Sequence, residues 1–350
     1  MTIIYIIILI LILGIIILIH ELGHFFFAKK FGVYIHEFSI GMGPVIYTKV
    51  GKDGIKYNLR AVPIGGFVQM AGEVYEDDDT EKIPKEKFMC NKKWYQRLII
   101  LIAGVVNNYI LAIVVLFFLA LFYNVSLTYP IVDTLSQEYP SYNSGLEKGD
   151  KILSINGHKV NSWDGAQIIL AYEDEDNVYE FLVEKENGKE KEIKITPEIV
   201  KDDGVEHKVF GISIKTEEIH GFVDSAKYAF VKFGAIIESM FLTLYALFSG
   251  NIGVSALSGP IGMYQVVEVA AASGVANILY LLAFLSINVG ILNILPFPAF
   301  DGGRVLFLLI EKIKGSPVNS KVENYFHTIG FFLLILLSIY IAFNDILRFF

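Results

Sequence analysis

Apolar residues along this chain gather in long runs separated by polar, charge-rich stretches. From Ile3 to Ile19 only Gly14 and the amphipathic Tyr5 interrupt the aliphatic sequence, and apolar side chains resume at Phe25, Phe26, Phe27 and Ala28. Comparable runs cover Leu98 to Tyr123, Ile278 to Leu295 and Ile329 to Phe343. A helix of about 20 apolar residues crosses the hydrocarbon core of a bilayer, so the pattern predicts about four transmembrane helices. The start MTIIYIII has neither a basic leading segment nor a small-residue cleavage site, which predicts a retained helix and not a signal peptide. A weaker apolar stretch, Tyr228 to Phe248, carries Lys232 and Glu238 and ends at Gly250. It reads as an interfacial helix, the alternative being a fifth span.

Between the second and third runs the periodicity changes. Residues Ser144 to Gly157 pass from a helix start through a strand to an Asn-Gly turn, Asp164 to Tyr172 reads as a helix, and Val178 to Glu184 and Glu192 to Thr196 read as strands around Asn187-Gly188. This predicts one small α/β domain. The acidic run Glu173 to Asp176 lacks the spacing of a calcium loop and reads as a solvated turn. Ahead of the second run, Ile55 to Arg60 and Gly66 to Met70 read as extended segments around Pro63.

Composition narrows the function classes. The chain is 54% apolar and 19% charged, with a net charge of -8 and no basic tract, which counts against a nucleic-acid partner. A single cysteine, Cys90, excludes a disulfide framework and cysteine-based zinc sites, so a metal here would be held by His, Asp or Glu. About a dozen Lys and Arg lie between Lys29 and Arg97, and Arg304, Lys312, Lys314 and Lys321 lie between the third and fourth runs. The positive-inside rule puts both segments in the cytoplasm and the α/β domain outside.

Chemistry enters where the first run is interrupted. His20-Glu-Leu-Gly-His24 is an H-E-x-x-H pattern: two imidazoles one helical turn apart can share one zinc ion, and Glu21 can accept a proton from water there. Such groups in an apolar helix are costly when unpaired, and a metal would satisfy them. An open zinc site needs a further donor. Asp301 follows Pro296 and Pro298, which break the third run, and precedes Gly302-Gly303; it reads equally as that donor or as the N-terminal cap of a helix from Gly302 to Ile310. His36, Glu37, His327 and Glu268 are the other donors available.

The H-E-x-x-H helix, the N-x-x-P-x-P-x-x-D-G string from Asn293 to Gly302, and the placing of the two in separate spans resemble the site-2 protease family of intramembrane zinc metalloproteases, in its bacterial RseP-type subgroup. Val62 to Met70, Ala103-Gly104 with Asn107, and Leu257 to Gly262 extend the resemblance over nearly the whole chain; Phe300 departs from it, standing where the family commonly has Leu. The resemblance implies zinc held by His20, His24 and Asp301, with Glu21 as catalytic base. It implies a membrane-associated β-hairpin around Ile55 to Met70, with Gly65, Gly66, Asn288 and Asn293 as substrate contacts, and a PDZ-like fold for the α/β domain.

The expected architecture is a polytopic α-helical membrane protein with a β-hairpin and one inserted PDZ-like α/β domain. Its segments are 1–28 (first transmembrane helix), 29–97 (cytoplasmic loop with the hairpin), 98–123 (second transmembrane helix), 124–219 (PDZ-like domain), 220–275 (interfacial helix and linker) and 276–350 (third and fourth transmembrane helices). The expected activity is hydrolysis of peptide bonds in transmembrane segments of single-span proteins already trimmed outside, such as anti-sigma factors or remnant signal peptides. The protein would sit in the bacterial plasma membrane, with the lipid bilayer and transmembrane substrates as partners. The alternatives are an HtpX-like zinc protease with a cytosolic site and a non-enzymatic PDZ scaffold; a transporter is disfavoured by the lack of an inverted repeat.

Overall fold

The computed structural model describes residues 2–73, 83–172, 177–202, 205–254 and 257–349. In chain order the main elements are α1 (Thr2–Lys30), β1 (Ile35–Val50), β2 (Lys56–Met70), α2 (Trp94–Phe122), β3 (Ser126–Leu135), β4 (Lys151–Ile155), β5 (His158–Lys159), α3 (Trp163–Tyr172), β6 (Tyr179–Glu184), β7 (Glu190–Ile195), β8 (Glu198–Asp202), β9 (Val205–Val209), β10 (Ile212–Glu218), α4 (Gly221–Ser249), α5 (Pro260–Ala272), α6 (Val275–Ile294), α7 (Asp301–Lys314) and α8 (Ser320–Phe349). They form two compact units, residues 1–115 with 257–350 and residues 116–256. The expected segment 220–275 is therefore divided, α4 belonging with the α/β unit and α5 with the helical one.

Among the described residues, α1, α2, α4, α6 and α8 are long and apolar enough to cross a membrane. All four expected runs are thus helical, and α4 adds a fifth candidate that was expected only as a weaker interfacial stretch. α1 continues unbroken through His20 to His24, because the polar pattern contains no proline and its side chains find partners in neighbouring elements. In the helical unit α5 packs on α1, α6 and α8. Buried Asp345 of α8 accepts a hydrogen bond of 2.9 Å from the Gly262 N–H in the first turn of α5.

β1 and β2 make a small sheet against the C-terminal half of α1. Phe25, Ala28, Phe38, Val68, Met70, Ile100 and Leu308 share one core cluster, so α1, the sheet, α2 and α7 are packed together there. Residues 45–50 of β1 pair with 56–60 of β2, while the first half of β1 has partners on both sides: Phe38 lies opposite both Val68 and Tyr57. The run from Gly66 to Met70 consequently forms an edge of the sheet. A buried polar network braces the hairpin, in which Arg60 Nη2 meets Glu37 Oε1 at 2.6 Å and Arg60 Nε meets Ser39 Oγ at 3.1 Å.

The α/β unit has strand order β10-β3-β4-β6-β7, with β5 paired to β4, and a separate β8-β9 hairpin. Ile152, Ile155, Phe181, Val183 and Ile193 fill its core with Ala166 and Ile169 of α3. Both expected turns are present: Asn156 and Gly157 take positive φ, as a tight hairpin turn requires, and so does Gly188. The Glu173 to Asp176 run lies outside the described residues.

α4 is held to α3 by its own charges. Glu238 accepts from Asn161 N at 3.0 Å, Asn161 Nδ2 at 2.8 Å and Ser162 Oγ at 2.6 Å, and Lys232 Nζ meets Asp164 Oδ1 at 2.7 Å. Ser225, Tyr228, Ala229, Ala235, Ile236 and Ala246 are buried. Phe230, Phe241 and Phe248, which fall on the opposite face at helical spacing, are 53–83% exposed.

Candidate metal centre

The first requirement of the centre is that α1 and α2 approach closely at the H-E-x-x-H turn. A Cβ on Gly23 would stand 2.3 Å from the carbonyl oxygen of Ala103, inside any allowed contact. On the facing helix, a Cβ on Gly104 would lie 2.6 Å from His20 Cε1 and from His24 Nε2. Glycine at both positions leaves room for two buried imidazoles between the helices, with His20 and His24 each 7% exposed.

The carboxylate comes from the break after α6. Leu295 and Phe300 are extended, Ala299 takes φ +73°, and α7 begins at Asp301. The turn is tight enough that a Cβ on Gly302 would fall 2.2 Å from the Leu295 carbonyl oxygen, and one on Gly303 2.6 Å from that of Phe297. Phe300 is the N-cap of α7 and its ring packs 5.7 Å from that of Phe297, while the cap carries no side-chain hydrogen bond. Asp301 is therefore not the expected cap of the next helix. Its Oδ2 points to the imidazoles, 3.0 Å from His20 Nε2 and 3.3 Å from His24 Nε2.

These atoms suit a zinc ion. His20 Nε2 and His24 Nε2 are 3.1 Å apart, so each pair in the set is separated by 3.0–3.3 Å. Tetrahedral bonds of about 2.0–2.1 Å place donors about 3.3 Å from one another. Among the described residues His20, His24 and Asp301 form the cluster able to hold a metal ion. His24 Nδ1 lies 2.8 Å from the Ile100 carbonyl, which fixes the Nδ1–H tautomer and leaves the Nε2 lone pair free to ligate.

Glu21, His24 and Asp301 line a cavity of about 570 Å³, shared with Phe67, Val68 and Met70 of β2. Glu21 Oε2 accepts the Val68 N–H at 3.2 Å, so the outward edge of β2 meets the carboxylate directly. Further along the wall, Arg304 pairs with Glu73, and His327 Nδ1 accepts the Ala299 N–H at 3.1 Å.

The other expected residues are placed differently. Gly65, Gly66, Asn288 and Asn293 are not among the cavity-lining residues. Gly66 comes nearest, a Cβ there standing 3.9 Å from Glu21 Cγ, and Asn288 Oδ1 is buried with no hydrogen-bond partner. Of the alternative donors, Glu37 is taken by Arg60, His36 stacks edge-on against Tyr34, Glu268 is exposed on α5, and His327 lies on the cavity wall outside the cluster. Sequence reading gave Gly104 no role beyond its part in the resemblance, and missed the Ile100 carbonyl, the Arg304–Glu73 pair and Asn108, whose buried amide lies 3.3 Å from His20 Nδ1. Only Asn108 left a signal, as half of an Asn pair in an apolar helix.

The model of peptidase family M50 matches residues 8–337. The chain belongs to that family. Similar relatives include the regulator of sigma-W protease RasP of Bacillus subtilis, 31% identical with 97% of this chain and 98% of the relative covered, and the zinc metalloprotease RasP of Bacillus licheniformis, also 31% identical with the same coverage. A Clostridium acetobutylicum chain provisionally named a zinc metalloprotease is 34% identical over 97% of both chains. The protein is thus a zinc metalloprotease of the site-2 protease family, built around apolar helices of membrane-spanning length. The resemblance seen in the motifs holds across the chain.

Proposed function

We propose that this peptidase is an intramembrane endopeptidase, with zinc held by His20, His24 and Asp301 and with Glu21 as general base. The observation that carries the reading is that the imidazoles of α1, a helix apolar enough for a bilayer, meet Asp301 of the break after α6 at 3.0–3.3 Å. The chemistry supplied by a bound zinc is Lewis acidity, which polarises a peptide carbonyl and makes water nucleophilic near neutral pH. Glu21, on the cavity wall beside His24, takes the proton from water and passes it to the leaving nitrogen.

A helical substrate must be unwound before its amides can be attacked. The Gly66–Met70 edge supports a route for this, since an extended segment can add to an exposed strand and be held by main-chain hydrogen bonds. The Val68 N–H, bonded to Glu21, would pass to a substrate carbonyl and free that carboxylate for its proton. Asn288, with its unpaired buried Oδ1, and Asn293 would grip the unwound chain.

Four of the long helices, α1, α2, α6 and α8, span the membrane in this reading, and α4 lies at the interface. Its binding to α3 through Glu238 and Lys232, and its exposed phenylalanine face, favour a helix lying flat over a spanning one. The α/β unit acts as an extracytoplasmic PDZ-like module that admits substrates with short outer parts, and the metal centre opens toward the cytoplasmic side of a bacterial plasma membrane. Regulated intramembrane proteolysis of pre-trimmed single-span proteins follows, with anti-sigma factors and remnant signal peptides as the substrate classes. The test is cleavage in proteoliposomes of a single-span reporter with and without a folded outer domain. Cleavage of the trimmed form alone is expected, and equal cleavage of both would remove the size-filter role.

A further inference from the structure

We infer that Asn108 is a positioning residue that prepares His20 for metal binding by accepting a hydrogen bond from its Nδ1–H. The inference rests on the proposal that His20 is a zinc ligand.

A neutral imidazole has one N–H and one lone pair, and whichever nitrogen ligates must carry the lone pair. Both rings turn Nε2 toward Asp301 Oδ2, so both must carry the proton on Nδ1 when they ligate. For His24 the acceptor of that proton is the Ile100 carbonyl at 2.8 Å. For His20 the group at Nδ1 is the Asn108 side-chain amide, with Nδ2 at 3.3 Å, while Asn108 Oδ1 is buried without a hydrogen-bond partner. Two N–H groups cannot face each other. With His20 ligating, the amide is turned so that Oδ1 meets Nδ1–H, an exchange of oxygen and nitrogen within nearly the same volume. The otherwise orphaned oxygen then gains a donor, and His20 acquires the same kind of outer support that His24 has.

Asn108 is fully buried, which makes a purely structural role the competing explanation. Its structural tie, however, runs through the main chain: Ser286 Oγ of α6 donates to the Asn108 carbonyl at 2.9 Å. That bond survives replacement of the side chain. The two roles also rank substitutions in opposite order. A structural amide is better replaced by apolar Leu than by a buried carboxylate, whereas a hydrogen-bond acceptor is preserved by Asp and lost in Leu.

The experiment measures zinc affinity of the full chain in detergent, by competition with chelators of graded strength, for wild type, Asn108→Leu and Asn108→Asp, with thermal melting of each. Asn108→Ala supplies a second variant without an acceptor if Leu does not fold. Expected are a loss of about 10- to 100-fold in zinc affinity for Leu or Ala, the range seen when outer partners of ligating histidines are removed, and near-complete retention for Asp. Wild-type affinity in the variants lacking an acceptor, or a loss in Asp as large as in Leu, overturns the role of Asn108 and leaves the metal centre standing. Zinc binding absent from wild type, or unchanged by His20→Ala, overturns the metal centre itself and this inference with it.

Discussion

His20 Nε2 lies 3.0 Å from Asp301 Oδ2, although the two residues are 281 positions apart in sequence. If this contact belongs to a zinc site, each donor is required for the metal and the adjacent carboxylate is not. Purified wild type and Glu21→Gln are expected to carry near-stoichiometric zinc by mass spectrometry, and His20→Ala, His24→Ala and Asp301→Ala to lose it. Peptide cleavage by Glu21→Gln should fall by about 10²- to 10⁴-fold, the usual contribution of a positioned general base. Cleavage at the wild-type rate would take Glu21 out of that role.

Gly104 faces both imidazoles across the α1–α2 contact. Its replacement by Ala would place a methyl 2.6 Å from His20 Cε1 and His24 Nε2. Overpacking of this kind costs about 1–3 kcal/mol, and here it also displaces the two imidazoles proposed to hold zinc. Gly104→Ala is expected to melt at a lower temperature than wild type and to hold zinc weakly. Unaltered zinc affinity would mean that the helices separate to accommodate the methyl.

Val68 presents its N–H to Glu21 from the edge of β2. Proline is tolerated on an edge strand but cannot donate a hydrogen bond. Val68→Pro should therefore keep the hairpin and the zinc while losing most of the cleavage activity. Hydrogen exchange over residues 56–70 checks the fold, and a proteoliposome assay checks the rate; full activity would exclude strand addition at this residue.

Arg60 and Glu37 form a mostly buried ion pair, with side chains 19% and 15% exposed. Removing one partner leaves an uncompensated charge, which costs about 3–5 kcal/mol in a buried pair. Arg60→Met is expected to loosen the hairpin, seen as faster proteolysis between residues 35 and 70, and Arg60→Met combined with Glu37→Met to recover much of the loss. No recovery in the double variant would assign the effect to lost packing of Arg60 on the Phe67 ring.

α4 offers a direct choice between lying flat and spanning. Spin labels at Phe230, Phe241 and Phe248 should all report the same shallow depth in lipid vesicles if the helix lies in the interface. A graded depth from Phe230 to Phe248 would establish a fifth span and reverse the expected side of everything after it.

Much of this was legible because it is local. A run such as Ile3–Ile19 has few alternatives to a membrane helix, and Asn156-Gly157 and Asn187-Gly188 mark turns by backbone preference alone. β1 was not anticipated, because Gly41, Gly43 and Pro44 break its alternation; its pairing depends on bulges at those positions, with Gly41 and Gly43 at positive φ. The apolar pattern marks α4 as shorter and weaker than it is, since Lys232 and Glu238 look like interruptions until Asp164 and Ser162 are seen to receive them.

The sequence by itself determined the apolar runs, the small α/β region and the pairing of His20 with His24, because the period of a helix alone puts residues four apart on one face. Only the tertiary structure decided that Asp301 completes the cluster and does not cap α7, that Asn108 stands behind His20, and that the edge of β2 reaches Glu21. The first two depend on how closely backbones approach, at Gly302 against Leu295 and at Gly23 against Ala103. A glycine written in a sequence does not name the neighbour that would have no room for a side chain; packing supplies that neighbour.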